Sequence, residues 1–252
     1  MASHAHPVTR AIVTGHTRGL GAALVEALRG RGIDVLGVAR SRRAPDDSPA
    51  ALPGRFEEVE LDLSDSDALA QWLAGDTIAA FLRGAERALL VNNAGTVAPI
   101  GPCAVQQPAD VGRAVALNVA APLMLSSAFS AATAGLQDRR IAHISSGAAR
   151  NPYAGWNVYC ATKAALDHHA RAAALDGEPA LRVASVAPGV VDTDMQGEIR
   201  GTDDARFPQR ERFAEMKRAG QLTSPRDAAG KLVDYLLSDA FGQTPTADIR
   251  SL

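Results

Sequence analysis

A chain of 252 residues, 46% of them hydrophobic, is long enough to bury one well-packed core, and a formal net charge of −2 gives it no basic footprint for nucleic acid. Its two cysteines, Cys103 and Cys160, form neither a metal-ligand spacing nor a disulfide framework, which fits a reducing compartment. Residues 1–7 hold no apolar signal core and no uninterrupted apolar run approaches the roughly 20 residues of a membrane helix, so a cytoplasmic protein of one domain, 1–252, with no membrane partner is expected.

In chain order, Ala11-Ile12-Val13 is a short apolar run that breaks at Thr14-Gly15. Leu20, Leu24, Val25 and Leu28 then recur at helical spacing before Gly30 and Gly32. A second strand over 35–39 completes a βαβ beginning, and a polar, proline-bearing loop occupies 40–54. Further strands are predicted at 58–61, 88–91, 141–144 and 182–187, each followed by enough chain for a helix. This alternation predicts an α/β fold, a single-domain doubly wound (Rossmann) parallel sheet with helices on both faces and a ligand site at the carboxyl ends of its strands. The least regular stretch, 196–209, is a candidate lid.

Thr14-Gly15-His16-Thr17-Arg18-Gly19-Leu20-Gly21 places three glycines where the first strand turns into the first helix. Gly15 permits the turn, Gly19 lets backbone approach a pyrophosphate at the helix N-terminus, and Gly21 allows close helix–strand packing. After the second strand, where an NAD-binding unit would carry a carboxylate, the chain has Arg40-Ser41-Arg42-Arg43. Arg40 is suited to grip a 2′-phosphate through a charge-assisted fork, so NADP(H) is the expected cofactor, with Arg18 as a second cation; the other use of these arginines is a solvated loop. Asp62 is placed to accept a bond from the adenine amino group or to cap a helix near Ser64, and Asn93-Ala94-Gly95 gives backbone an open approach to the adenosine ribose. Tyr159 and Lys163 lie four apart, on one helix face, where an ammonium would favour ionisation of the phenol.

These ordered motifs resemble the short-chain dehydrogenase/reductases over nearly the whole chain. The similarity lies in Thr14-Gly15-x-x-x-Gly19-x-Gly21, Asn92-Asn93-Ala94-Gly95, Ile144-Ser145-Ser146, Tyr159-x-x-x-Lys163 and Pro188-Gly189. The resemblance implies catalytic roles for Asn118, Ser146, Tyr159 and Lys163, with Asn118 holding a water that connects the lysine to solvent. It extends the cofactor contacts to Thr17, Leu20, Leu63, Tyr159, Lys163, Pro188, Gly189, Val191 and Thr193. Ser146 rather than Ser145 is the implied substrate-holding serine, because it stands thirteen residues before the tyrosine. His16, directly after Gly15, departs from the family's common turn. Within the family, Gly155-Trp156-x-x-Tyr159-Cys160 and the stretch 187–196 resemble the sepiapterin reductases and related benzil reductases. In those terms Asp248 would anchor substrate, or else cap a short terminal strand, and Trp156 would wall the substrate pocket, or else pack.

The implied activity is reduction of a ketone or diketone, with Tyr159 giving a proton to the carbonyl oxygen, Ser146 holding that oxygen, and Lys163 lowering the tyrosine pKa. A cofactor-sensing binding protein and an NAD-dependent alcohol dehydrogenase are the alternatives, the arginines arguing against the latter. His143 reads as a core histidine, His168 and His169 point apart, and Asp192 and Asp194 suit a polar loop, so no metal site is assigned. The resemblance also implies a homodimer or homotetramer.

Overall fold

The computed structural model describes residues 7–43 and 52–252; part of the expected loop, 44–51, and most of the N-terminal segment read above lie outside the described residues. Strands β1 (Thr9–Thr14), β2 (Asp34–Ala39), β3 (Phe56–Glu60), β4 (Arg87–Asn92), β5 (Asp138–Ile144), β6 (Leu181–Ala187) and β7 (Thr246–Asp248) form one sheet. Its order is β3-β2-β1-β4-β5-β6-β7, and every pairing is parallel. Strand order reverses between β1 and β4, and that crevice is where a doubly wound sheet receives its ligand.

Side chains alternate across the sheet, and each face buries its own core. On one face Ala11, Val13 and Val91 pack beneath α1 (Gly19–Arg29), together with Leu232 and Val233. On the other face Ile12, Leu36, Val38 and Leu90 meet α2 (Ser66–Leu73), α3 (Thr77–Leu82), and residues Leu125 and Phe129. Asp65 caps α2 by accepting bonds from the backbone N–H groups of Asp67 and Ala68. The capping role considered for Asp62 therefore belongs to Asp65.

The strand starts extend beyond the apolar runs. Asp138, Arg139 and Arg140 open β5 although both arginines are buried, because Arg139 pairs with Glu178 and Arg140 with Asp138. Burial opposes the charge on Asp138, yet its bonds from Arg140, Arg87 and Arg182 hold it well below the usual carboxylate range.

Between β4 and β5 runs one continuous helical segment, Pro108–Ala132, made of α4 (Pro108–Val115), a π turn (Ala116–Ala120) and α5 (Ala121–Ala132). At 25 residues it is long and apolar enough on average to span a bilayer, although Asp110, Arg113 and Asn118 interrupt it, and Ala121, Leu125 and Phe129 are buried against the sheet. Next come α6 (Asn157–Leu175), α7 (Asp194–Gly201), α8 (Arg210–Arg218) and α9 (Pro225–Leu237). The expected irregular lid over 196–209 is thus helical through Gly201.

Candidate active site

A cavity of about 710 Å³ opens at the carboxyl ends of the strands. At one end lies the turn from β1 into α1. Gly15 and Gly19 have φ of 67° and 55°, a region L side chains rarely adopt. A Cβ on Gly21 would fall 2.0 Å from the Gly15 carbonyl oxygen, so the helix sits on the turn only because position 21 has none. The turn is locked to β4: Thr14 Oγ1 accepts the N–H groups of Asn93 and Ala94, and Asn93 Nδ2 donates to the Thr14 and Gly15 carbonyls. The Asn93 side chain thus joins the two strands at the switch point, while Ala94 and Gly95 line the cavity.

Thr17, Arg18, Leu20, Arg40, Asp62 and Leu63 line the same end. Asp62 accepts bonds from the Ser64 N–H and hydroxyl, which with the nearby Arg40 charge keep its pKa low. Arg40 is exposed at the cavity edge, whereas Arg43 is tied to Glu26 on α1. Arg18 makes a solvent-exposed contact with Asp194, at 3.4 Å. Asp192 pairs with Lys217, so the two loop carboxylates considered above are engaged in separate ion pairs.

At the other end α6 presents Tyr159 and Lys163 on one buried face, and Ser146 leaves β5 beside them. Ser146 Oγ accepts the Ala148 N–H at 3.1 Å and stands beside the Tyr159 phenol. Burial pushes the Tyr159 pKa above its ordinary value, with the nearby Ser146 hydroxyl opposing. This corrects the expectation that Lys163 lowers it. The ammonium donates to the Ile144 carbonyl at 2.8 Å and stands 5.8 Å from the phenol ring centre. Lys163 itself is brought down to about 8 by burial, partly countered by Asp167 one turn along the helix. Asp167 is fixed by Ser145, Ser185 and Arg150, so Ser145 turns away from the reacting group as its strand position requires.

Asn118 occupies the π turn and does not line the cavity. Its Nδ2 donates to the Thr96 carbonyl and to Thr162 Oγ1, and its Oδ1 accepts the Thr96 N–H. Both amide hydrogens are spent, leaving one lone pair on Oδ1. A Cβ built on Gly95 would be 3.2 Å from that oxygen and 3.5 Å from Lys163 Nζ, so asparagine and lysine flank one bare glycine. His143 is entirely buried and bonded to Asn92 and His169. Burial, the nearby His169 and the Lys163 charge lower its pKa to about 3, which leaves it neutral.

Pro188, Gly189, Val191 and Thr193 form the remaining wall. Thr193 Cγ2 lies 3.2 Å from where a Gly19 Cβ would be, which closes the wall onto the glycine turn. Backbone bonds between 190–192 and Thr223 anchor the base of α7 and α8. Trp156 lines the cavity and also packs: it stacks on Phe207 at 4.5 Å and meets Tyr159 edge-on at 5.3 Å. Asp248 is outside the lining, and its carboxylate is taken by the Arg250 guanidinium and N–H, so the structure does not place it as a substrate anchor. Sequence reasoning missed Tyr153, Met195, Gln196, Phe213, Met216 and Arg250 at this end. Their signals were the stretch 187–196, which holds Met195 and Gln196, and the apolar pair Phe213 and Met216 at helical spacing in a polar stretch.

Set against known proteins, residues 9–204 match the family model described as short chain dehydrogenase. The chain is 32% identical over 229 residues to benzil reductase ((S)-benzoin forming) of Bacillus subtilis (strain 168), covering 89% of this chain and 92% of that one. It is 36% identical over 244 residues to sepiapterin reductase of Meriones unguiculatus, covering 91% and 92%. A crystal structure of a short-chain dehydrogenase/reductase from Burkholderia vietnamiensis shares 54% identity, with a TM-score of 0.67 and coverage of 98% and 100%.

Proposed function

The chain belongs to the short-chain dehydrogenase/reductase family of nicotinamide-dependent oxidoreductases, and from that premise we propose that it is an NADPH-dependent carbonyl reductase acting on ketones or diketones of the benzil or sepiapterin type. The observation that carries this reading is one continuous cavity lined by the buried Tyr159 and by Ser146 at one end and by Arg40, where an acid would serve NAD, at the other.

The residues fit a dinucleotide. The crowded Gly15–Gly21 contact and the positive φ at Gly15 and Gly19 expose backbone at a helix N-terminus, the place for a pyrophosphate. Bound NADPH supplies a hydride for the carbonyl carbon. Arg40 would hold the 2′-phosphate, and Thr193 and the Pro188-Gly189 backbone would hold the nicotinamide half. Tyr159, kept neutral by burial, holds its proton ready for the carbonyl oxygen, and Ser146 Oγ orients that oxygen by a second hydrogen bond. Lys163 holds positive charge behind the phenol below a pH of about 8. Trp156 and the α7–α8 segment exclude water from the substrate end.

The same reading assigns the chain to the cytoplasm as a homodimer or homotetramer. The apolar groove of Val111, Val115, Val119 and Val158 supports self-association, which light scattering measures. The enzymatic reading is tested by following oxidation of NADPH and NADH with benzil, isatin, sepiapterin and simple ketones. Turnover of a diketone or pterin ketone with a clear preference for NADPH is expected; no turnover of any carbonyl, or a preference for NADH, would overturn it.

A further inference from the structure

His16 lies one residue beyond Gly15 inside the cofactor turn, and its side chain is entirely buried. The ring rests on the bare backbone of Gly37 in β2, where a methyl group would come within 2.6 Å of the imidazole. Gly37 is paired with Glu58 of β3, so a ring seated on the glycine reaches the carboxylate on the neighbouring strand. His16 Nε2 lies 2.7 Å from Glu58 Oε1, and Phe56 closes the niche edge-on with ring centres 5.4 Å apart.

The same Glu58 oxygen accepts a 2.8 Å bond from the Arg43 N–H. Burial works against the glutamate's charge, yet the Arg43 amide, His16 and Arg42 together hold it below the usual carboxylate range. One carboxylate therefore ties two separate turns to each other: the glycine turn, through His16, and the arginine turn 40–43, through Arg43. These turns flank the adenosine end of the cleft, where Arg18 and Arg40 reach the cavity.

We propose that His16 is a positioning residue for cofactor selectivity, holding the turn that carries Arg40 in register with the glycine turn through Glu58. The inference rests on the reading of Arg40 as the 2′-phosphate clamp. A guanidinium fork on a phosphate depends on fixed geometry, whereas a ribose hydroxyl makes no such demand on Arg40. Loosening the tie should therefore weaken NADP(H) and leave NAD(H) unchanged.

Calorimetric titration of NADP+ and NAD+ into the parent and into Arg40→Ala, His16→Ala, Glu58→Ala and Glu58→Gln tests this. His16→Ala and Glu58→Ala are each expected to weaken NADP+ about tenfold, the scale of one lost charge-assisted hydrogen bond, with NAD+ affinity at the parental value. Glu58→Gln should stay near the parent, because its amide oxygen still accepts the Arg43 N–H. If Arg40→Ala shows no selective loss, the clamp reading fails. If Arg40→Ala is selective while Glu58→Ala changes both cofactors alike or neither, the clamp stands and the positioning role is overturned. Should His16→Ala fail to fold, the two Glu58 variants decide the matter.

Discussion

At the adenosine end of the cleft the surface is largely backbone, brought close by glycines and pinned by Thr14 and Asn93. At the substrate end it is side chain, an aromatic cluster of Trp156, Tyr159, Phe207 and Phe213 with Ile199 under α7 and α8. The first tolerates almost no added atom and the second tolerates reshaping, so one scaffold keeps its cofactor while its substrate pocket varies.

Breaking the backbone end should have the largest effect. In Gly21→Val the new side chain meets backbone atoms that cannot swing aside, at 2.0 Å from the Gly15 oxygen. We expect loss of measurable NADPH binding and a stability loss of about 3 kcal/mol or more in denaturant titration, as for overpacked cores. Parental cofactor affinity in this variant would refute the tight-turn account.

The side-chain end should fail differently. Trp156→Ala removes a buried indole stacked on Phe207, which costs about 3–5 kcal/mol for a core aromatic. Its kcat/KM should fall while NADPH affinity holds, and Trp156→Phe should recover most of both losses. Equal loss of cofactor affinity would mean the two ends are not separable.

A smaller effect comes from pH. Lys163 is held near 8 in the fold against 10.5 for a free lysine, so between these values the unfolded chain binds more protons and stability rises with pH. The penalty for burying the ammonium is full below pH 8, roughly 3 kcal/mol, and is relieved as pH climbs toward 10.5. Lys163→Met should therefore be more stable than the parent at pH 7, with the difference vanishing near pH 10.5. In the parent, carbonyl reduction should decline as pH passes through about 8; a flat profile from 7 to 9.5 would contradict the role of the lysine charge.

The same contrast governs what was legible in the sequence. Parallel strands buried on both faces appear as apolar runs, so β1, β2, β4 and β6 were readable, and glycines that permit a turn have few substitutes. The start of β5 was hidden because buried arginines paired with Asp138 and Glu178 look like surface residues. Tyr159 was legible as a partner of Lys163 by helical spacing, but the direction of its pKa shift was not, since that depends on depth of burial. Asp248 and the residues of α7 and α8 depend on long-range packing, and neither the Arg250 pair nor the Phe207–Trp156 stack has a local pattern.

The central claim is that the Tyr159 phenol gives the proton while the rest of the cleft binds cofactor. Tyr159→Phe, assayed for NADPH affinity and for single-turnover reduction of a verified carbonyl substrate, tests it most directly. The account predicts unchanged affinity and a rate lower by about 10²–10⁴-fold, the usual contribution of a positioned general acid. A variant that reduces the carbonyl as fast as the parent would contradict it.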